Sequence, residues 1–223
     1  MSNPLVEVDT TAVDEHGVAV VTLNRPQKKN ALSHAMRLEL AHAFEALAAD
    51  ARVVILTGRG DVFCAGFDLT EFDRIDEDSL WASSDRMNVA VAAHPVPVIA
   101  ALDGPAVAGG ADLAVLADIR LGTDRTTFSH PERRGFPVVY GPLAECVGST
   151  RARELVLTGR TVAAEEALAL GLLTEVVRDR PVLDRARELA YDIARTPWHV
   201  LHRMRRKFQE TQRYSLACHT LSL

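Results

Sequence analysis

Val96-Pro-Val-Ile-Ala-Ala-Leu-Asp-Gly-Pro-Ala-Val-Ala-Gly-Gly-Ala-Asp112 is the stretch on which the fold turns. The apolar run Val96 to Leu102 predicts a buried strand, Asp103-Gly104-Pro105 a turn, and Gly109-Gly110 a glycine pair opening a helix over Ala111 to Ala117. The first amides of a helix have no intrahelical partner, and the aligned peptide dipoles add about half a positive charge there, so that end can hold an anion. Glycine lets the anion come close. The other reading of an isolated Gly-Gly is a tight strand-to-helix turn that uses glycine for its dihedrals alone.

A second stretch has the same form. Gly58-Arg59-Gly60-Asp61-Val62-Phe63-Cys64-Ala65-Gly66-Phe67-Asp68-Leu69 follows the β-branched run Val53 to Thr57, and so begins at the end of another buried strand. Two strand-end loops, each offering an amide, can hold one oxyanion from two sides.

The chain around them suits one globular domain, since 223 residues with 48% hydrophobic content bury a sizeable core, and strand runs alternating with helical ones along it disfavour an all-helical or all-β reading and favour α/β. A net charge of −5 leaves no broad basic footprint, and the short segment Arg203 to Lys207 reads as a solvated helix face, so nucleic acid is not expected as a partner. Cys64, Cys146 and Cys218 follow no metal-ligand spacing and read as reduced thiols, with no metal site expected. Met1 to Thr10 lacks a basic region followed by an apolar run, and no apolar stretch reaches transmembrane length. A soluble, cytoplasmic protein with no membrane contact is the expectation.

In chain order, Leu5 to Val8 and Val18 to Leu23 predict an opening hairpin. Ser33 is placed to cap a helix with Met36, Leu40, Phe44 and Leu47 on one face. Thr70 to Ser84 reads as acidic and irregular, followed by a helix from Asp85 to Ala93, and Asp118 to Leu121 as a strand. From Arg151 the pattern turns helical. Ala163 to Leu170 is closed by Gly171, Leu172 to Val177 is a short extended run, and Pro181 opens a helix with Val182, Ala186, Leu189 and Ile193 on one face. A last helix spans Trp198 to Gln212.

Val62 to Leu69, Asp103-Gly-Pro-Ala-Val-Ala-Gly-Gly-Ala-Asp-Leu113 and Pro131-Glu132 stand in the order and spacing of the enoyl-CoA hydratase/isomerase family, also called the crotonase family. Leu23-Asn24-Arg25-Pro26 with Asn30-Ala31-Leu32 resembles its first CoA-contacting loop. Arg151 to Arg160, Glu166-Ala167 and Gly171-Leu172 resemble its later helices. The resemblance covers roughly residues 5 to 200. It implies a crotonase-like spiral of strand-strand-helix units with C-terminal helices: one domain over 1–223, with a core of about 5–177 and a helical part of about 181–223. It also implies an acyl-CoA thioester as substrate, with coenzyme A part of that substrate and no separate cofactor, and assembly as a homotrimer or dimer of trimers. Relatives usually continue for a few tens of residues beyond the point matching Leu223, through helices that cover the site and build the trimer.

Residue by residue, the resemblance places the two oxyanion amides at Phe67 and Gly109 and the two acids at Asp112 and Glu132. Substrate and CoA contacts fall at Arg25, Lys28, Ala31, Ala65, Gly66, Asp68, Leu69 and Gly110. Hydrating a double bond takes one group to activate water and a second to manage the proton that goes to carbon. Asp112 follows Gly109 by one helical turn, so its side chain projects from the same helix end. Ordinary hydratases have the longer glutamate there. Dienoyl-CoA isomerases have aspartate, but with a further acid downstream that Arg133 to Tyr140 lacks. A 3-enoyl to 2-enoyl isomerase needs only one base, which Glu132 supplies, and a non-catalytic acyl-CoA-binding homologue is the third reading. The segment Glu132 to Pro137 is one residue short before its glycine, the Phe67 side chain narrows the pocket, and His130 is placed as a hydrogen-bonded neighbour of Glu132.

Overall fold

The near-continuous apolar runs are those of a sheet buried on both faces. A computed structural model describes residues 3–11, 13–71, 74–131, 139–212 and 214–216, without the side chains of 14 and 15. Glu132 with the segment that follows it to residue 138, and Cys218, lie outside the described residues.

The main sheet comprises β1 (Val6–Asp9), β2 (Val18–Leu23), β3 (Val53–Gly58), β4 (Val98–Leu102), β6 (Ile119–Gly122) and β9 (Glu175–Val176), hydrogen-bonded in that order. β1 and β2 form the expected antiparallel hairpin, with the short helix α1 (Val13–His16) at its turn, and all later pairings are parallel. Val20, Ile55, Ile99 and Ile119 stand side by side across four strands. Val20, Ile55 and Ile99 pack with α8 (Val182–Ala194), while Val21, Val54, Leu56, Ala100 and Leu102 belong to the core on the opposite face with α2 (His34–Leu47). Alternation along each strand thus serves two cores at once.

Ser33 caps α2 as expected, accepting from the Met36 amide at 3.2 Å, and Met36, Leu40, Phe44 and Leu47 are all buried. Along α8, Val182 and Ala186 are buried as the spacing predicts. Beyond them the stripe runs through Ala190 and Ala194, with Leu189 and Ile193 partly buried beside it.

Two expectations are corrected. The helix expected from Asp85 begins at Glu77, giving α3 (Glu77–Ala92). Asp76 caps it by accepting from the Ser79 amide at 2.8 Å, and Glu77 and Asp78 occupy its first turn, where negative charge is favoured. The acidity that reads as irregular chain is therefore a helix start. In α9 (Trp198–Thr211), Arg205 is not solvated. It is 5% exposed, pairs with Asp118 at 3.2 Å, and donates to the Ala92 carbonyl at 2.7 Å.

A smaller sheet holds the strand after the Asp103 turn. β5 (Ala106–Val107) pairs in parallel with β7 (Thr127–Ser129), which pairs with β8 (Val162–Ala163) in antiparallel fashion. α4 (Gly109–Val115) leaves β5 directly, and α5 (Tyr140–Val147), α6 (Ser149–Thr158) and α7 (Ala164–Leu170) follow. Gly171 closes α7 at φ +82°, as the sequence predicts. Among the described residues no helix is long and apolar enough to cross a membrane, and no cluster of three or more His, Cys, Asp or Glu side chains could hold a metal ion.

Candidate active site

The loop after β3 is carried to the loop before α4 by main-chain bonds. Cys64 bridges Ala106 of β5, with its amide donating to Pro105 at 3.3 Å and its carbonyl accepting from Val107 at 2.9 Å. Two residues on, the Leu32 amide donates to the Gly66 carbonyl at 2.7 Å and the Asp68 amide to the Leu32 carbonyl at 3.2 Å. The Phe67 residue is thereby bracketed from both sides.

Gly66 adopts φ +82°, and a Cβ on it would lie 2.8 Å from both Ala108 Cβ and the Val107 carbonyl oxygen and 3.1 Å from the Gly109 nitrogen. The two loops expected to share an anion are thus in van der Waals contact. The Phe67 ring lies over Gly109, 3.5 Å from where a Cβ would stand. The Gly109 and Gly110 amides open α4 with no hydrogen-bond acceptor among the described residues.

Of the glycine pair it is Gly110 that is needed, for a reason other than dihedrals. Positive φ falls on Ala108, at φ 52° and ψ −130°, a region that a residue with a Cβ rarely occupies. Neither Gly109 nor Gly110 has positive φ. Gly110 instead permits close approach, because a Cβ there would stand 2.3 Å from the Cys64 carbonyl oxygen.

Asp112, one turn into α4, is 7% exposed, and its Oδ1 lies 3.1 Å from Nε2 of the buried His130 at the end of β7. Burial pushes the Asp112 carboxyl up from the ordinary range, and the His130 hydrogen bond and charge pull against that. Burial likewise pushes the Cys64 thiol up to about 12, the Gly66 amide opposing it and the Asp112 charge adding to it. Cys64 is a neutral thiol here and donates to the Asn30 carbonyl at 3.2 Å.

The first loop is tied to the second by a clasp. Arg25 Nη1 pairs with Asp68 Oδ2 at 2.6 Å and donates to the Ala31 carbonyl at 3.1 Å, and the Ala65 amide donates to the Lys29 carbonyl at 3.0 Å. Burial pushes the Asp68 carboxyl up, but the Thr70 hydroxyl and amide together with Arg25 outweigh it and hold the group at about 2. Asn30, fully buried at φ 53°, accepts from the Arg25 amide and donates to the carbonyls of Arg59, Val62 and Phe63.

Of the residues expected at the site, Arg25, Ala31, Ala65, Gly66, Phe67, Asp68, Gly109, Gly110 and Asp112 form one connected patch. Arg25 is committed to Asp68 rather than left free for a phosphate. Lys28 is exposed, as is Leu69 at 73%. Glu132 lies outside the described residues, one position after the exposed Pro131. Reading from the sequence did not single out Asn30 as the organiser of the first loop, although an asparagine in a polar turn is the residue that tolerates its left-handed backbone. Neither the pairing of His130 with Asp112 nor the burial of Arg37 in α2 carries a local signal.

The clasp gives a stability prediction. The depressed carboxyl of Asp68 contributes stability that is present above the unfolded value near 4 and lost as pH falls toward about 2. Asp68→Asn should lower unfolding free energy at neutral pH by about 2 kcal/mol and flatten that acid limb. Denaturant melts of both proteins across that pH range check it; an unchanged limb would show that the clasp contributes nothing.

A family model described as enoyl-CoA hydratase/isomerase matches residues 14–220. The chain belongs to that family. A putative enoyl-CoA hydratase of Thermus thermophilus is 39% identical over 196 residues, covering 82% of this chain and 77% of that protein. The crystal structure of an enoyl-CoA hydratase from Bacillus anthracis superposes with a TM-score of 0.86 at 30% identity, covering 92% of this chain and 83% of that one. The expected crotonase fold is therefore the one found. A 4-chlorobenzoyl coenzyme A dehalogenase of an Arthrobacter species is 34% identical over 210 residues, covering 87% of this chain and 75% of that protein. Membership defines an acyl-CoA-processing enzyme, while the reaction must be argued from the site.

Proposed function

We propose that this enzyme hydrates a trans-2-enoyl-CoA to the 3-hydroxyacyl-CoA. The observation that carries the reading is the packing of Gly66-Phe67 against Ala108-Gly109, with the carboxylate of Asp112 one turn further along α4. Water adds to the β-carbon, electron density moves onto the thioester oxygen as an enolate held by the Phe67 and Gly109 amides, and a proton is then delivered to the α-carbon. Glu132 and Asp112 divide the handling of the water and that proton. The substrate brings its own coenzyme A, and the reaction needs no separate cofactor. A homotrimer or dimer of trimers in the cytoplasm belongs to the same reading; the exposed Trp198, Met204 and Phe208 on α9 support assembly.

One observation favours a second reading, isomerisation of a 3-enoyl-CoA to the 2-enoyl-CoA. Asp112 is short, buried and engaged by His130, which leaves Glu132 as a single base able to remove and return one proton. The two are separated by supplying short and long trans-2-enoyl-CoA and following loss of the conjugated thioester absorbance, then supplying 3-enoyl-CoA and following its appearance. Glu132→Gln is run alongside in both. Loss of absorbance that depends on Glu132 supports hydration. Turnover of the 3-enoyl substrate alone replaces it with isomerisation.

A further inference from the structure

Arg37 is a buried cation on the core-facing side of α2. It is 1% exposed, wedged against Ser83 of α3, and among the described residues no carboxylate forms an ion pair with it. Glu71, whose carboxylate accepts from the His34 amide, acts on it only through space. Burial pushes its pKa down to about 10, so it stays charged at neutral pH. An unpaired buried charge is expensive, and an apolar side chain of similar size is the ordinary occupant of such a position.

Two of its contacts bear on the loop that carries Phe67. Nε donates to Ser83 Oγ at 2.9 Å and Nη1 to the Leu32 carbonyl at 2.8 Å, while buried Nη2 has no hydrogen-bond partner among the described residues. The Leu32 carbonyl that Arg37 holds also accepts from the Asp68 amide, and the Leu32 amide donates to Gly66. The guanidinium carbon lies 4.8 Å from the centroid of the Phe67 ring, the ring that rests on Gly109. Arg37 therefore touches the bracket on the Phe67 main chain and the side chain of the same residue.

We propose that Arg37 is a positioning residue for the oxyanion site: its guanidinium locks the Leu32 carbonyl and the Phe67 ring, and so aims the Phe67 amide at the enolate oxygen of the bound thioester. Its charge, in a wall of low dielectric, also favours negative charge developing on that oxygen. The inference rests on reading the Phe67 amide as an oxyanion donor, and it assigns a role to a buried side chain that acts through Leu32 and Phe67.

The test uses a ligand that reports enolate directly. Acetoacetyl-CoA ionises at its activated methylene to an enolate that absorbs in the near ultraviolet, whereas butyryl-CoA binds through the same groups without ionising. With wild type, Arg37→Met, Arg37→Lys, Phe67→Leu and Arg37→Met/Phe67→Leu, the enolate-to-neutral ratio of bound acetoacetyl-CoA is compared with butyryl-CoA affinity and the unfolding midpoint. Arg37→Met is expected to lower that ratio by about tenfold to a hundredfold while leaving butyryl-CoA affinity in place, since misaiming affects only the charged ligand. Arg37→Lys should fall between, keeping the charge without the fork, and the double variant should lose no more than the larger single change. Wild-type enolate in both Arg37 variants, or parallel loss of enolate and butyryl-CoA affinity, overturns the proposal. A wild-type protein that binds both ligands yet holds no enolate is a different result: it overturns the enolate site itself, and the positioning role with it.

Discussion

Gly110→Ala is expected to destabilise the protein strongly. The new Cβ would stand 2.3 Å from the Cys64 carbonyl oxygen and 2.8 Å from both its carbonyl carbon and its Cβ. That oxygen accepts the Val107 amide at 2.9 Å, so moving it away breaks the bridge joining the second loop to β5. The obstacle is main chain on both sides, which cannot yield by changing a rotamer. A loss of about 3 kcal/mol or more follows, or about 10 °C in unfolding midpoint for a chain of this length. Gly109→Ala is the control. Its Cβ would meet only the Phe67 ring at 3.5 Å and Leu32 at 3.7 Å, ordinary contact distances, and its φ is not positive. Thermal melts of the two variants should separate them by most of that difference. Equal melting would show that α4 moves off Cys64 easily.

Asp112→Asn is expected to separate activity from stability. Asparagine keeps the shape and can still accept from His130 Nε2, but it cannot carry a proton. If Asp112 shares the acid–base work, hydration should fall by about 10² to 10⁴. Stability should move the other way. Burial raises this carboxyl in the folded protein, so the fold prefers its neutral form. Relative to the unfolded chain, that preference is fully expressed below the unfolded value of about 3.9 and is lost as pH rises through the raised folded value. At neutral pH, where the carboxyl is ionised in the unfolded chain, the fold's preference for the neutral form counts against stability, with His130 opposing it, and asparagine should leave the unfolding midpoint unchanged or raise it. Undiminished hydration would remove Asp112 from the mechanism. A large fall in stability would mean that the His130 interaction outweighs burial.

Features legible in the sequence are those whose causes lie within a few residues. Ser33 caps α2 because a hydroxyl before a helix reaches the Met36 amide, and the Met36, Leu40, Phe44, Leu47 stripe is buried because 3.6-residue spacing sets one face. Gly171 ends α7 because it accepts a left-handed backbone. The start of α3 at Asp76 is not legible for a related reason: a cap and two first-turn acids resemble an acidic loop when the helix behind them buries only part of its surface.

The sequence by itself therefore determined the strands of the main sheet and most helices, the two glycine-bearing loops at strand ends, and the family they resemble, because periodicity, capping and turn chemistry act locally; the short strands β5, β7 and β8 of the smaller sheet were not legible in it. Only the tertiary structure decided what those loops face. It placed Gly110 against Cys64, Asp112 against His130, Arg25 against Asp68, and the buried Arg37 against Phe67. Each pair is joined across a long stretch of chain, and burial is what gives it consequence. Away from water an unpaired charge or a misplaced methyl cannot be relieved by solvent, so partner and distance become decisive, and neither is written in the residues on either side.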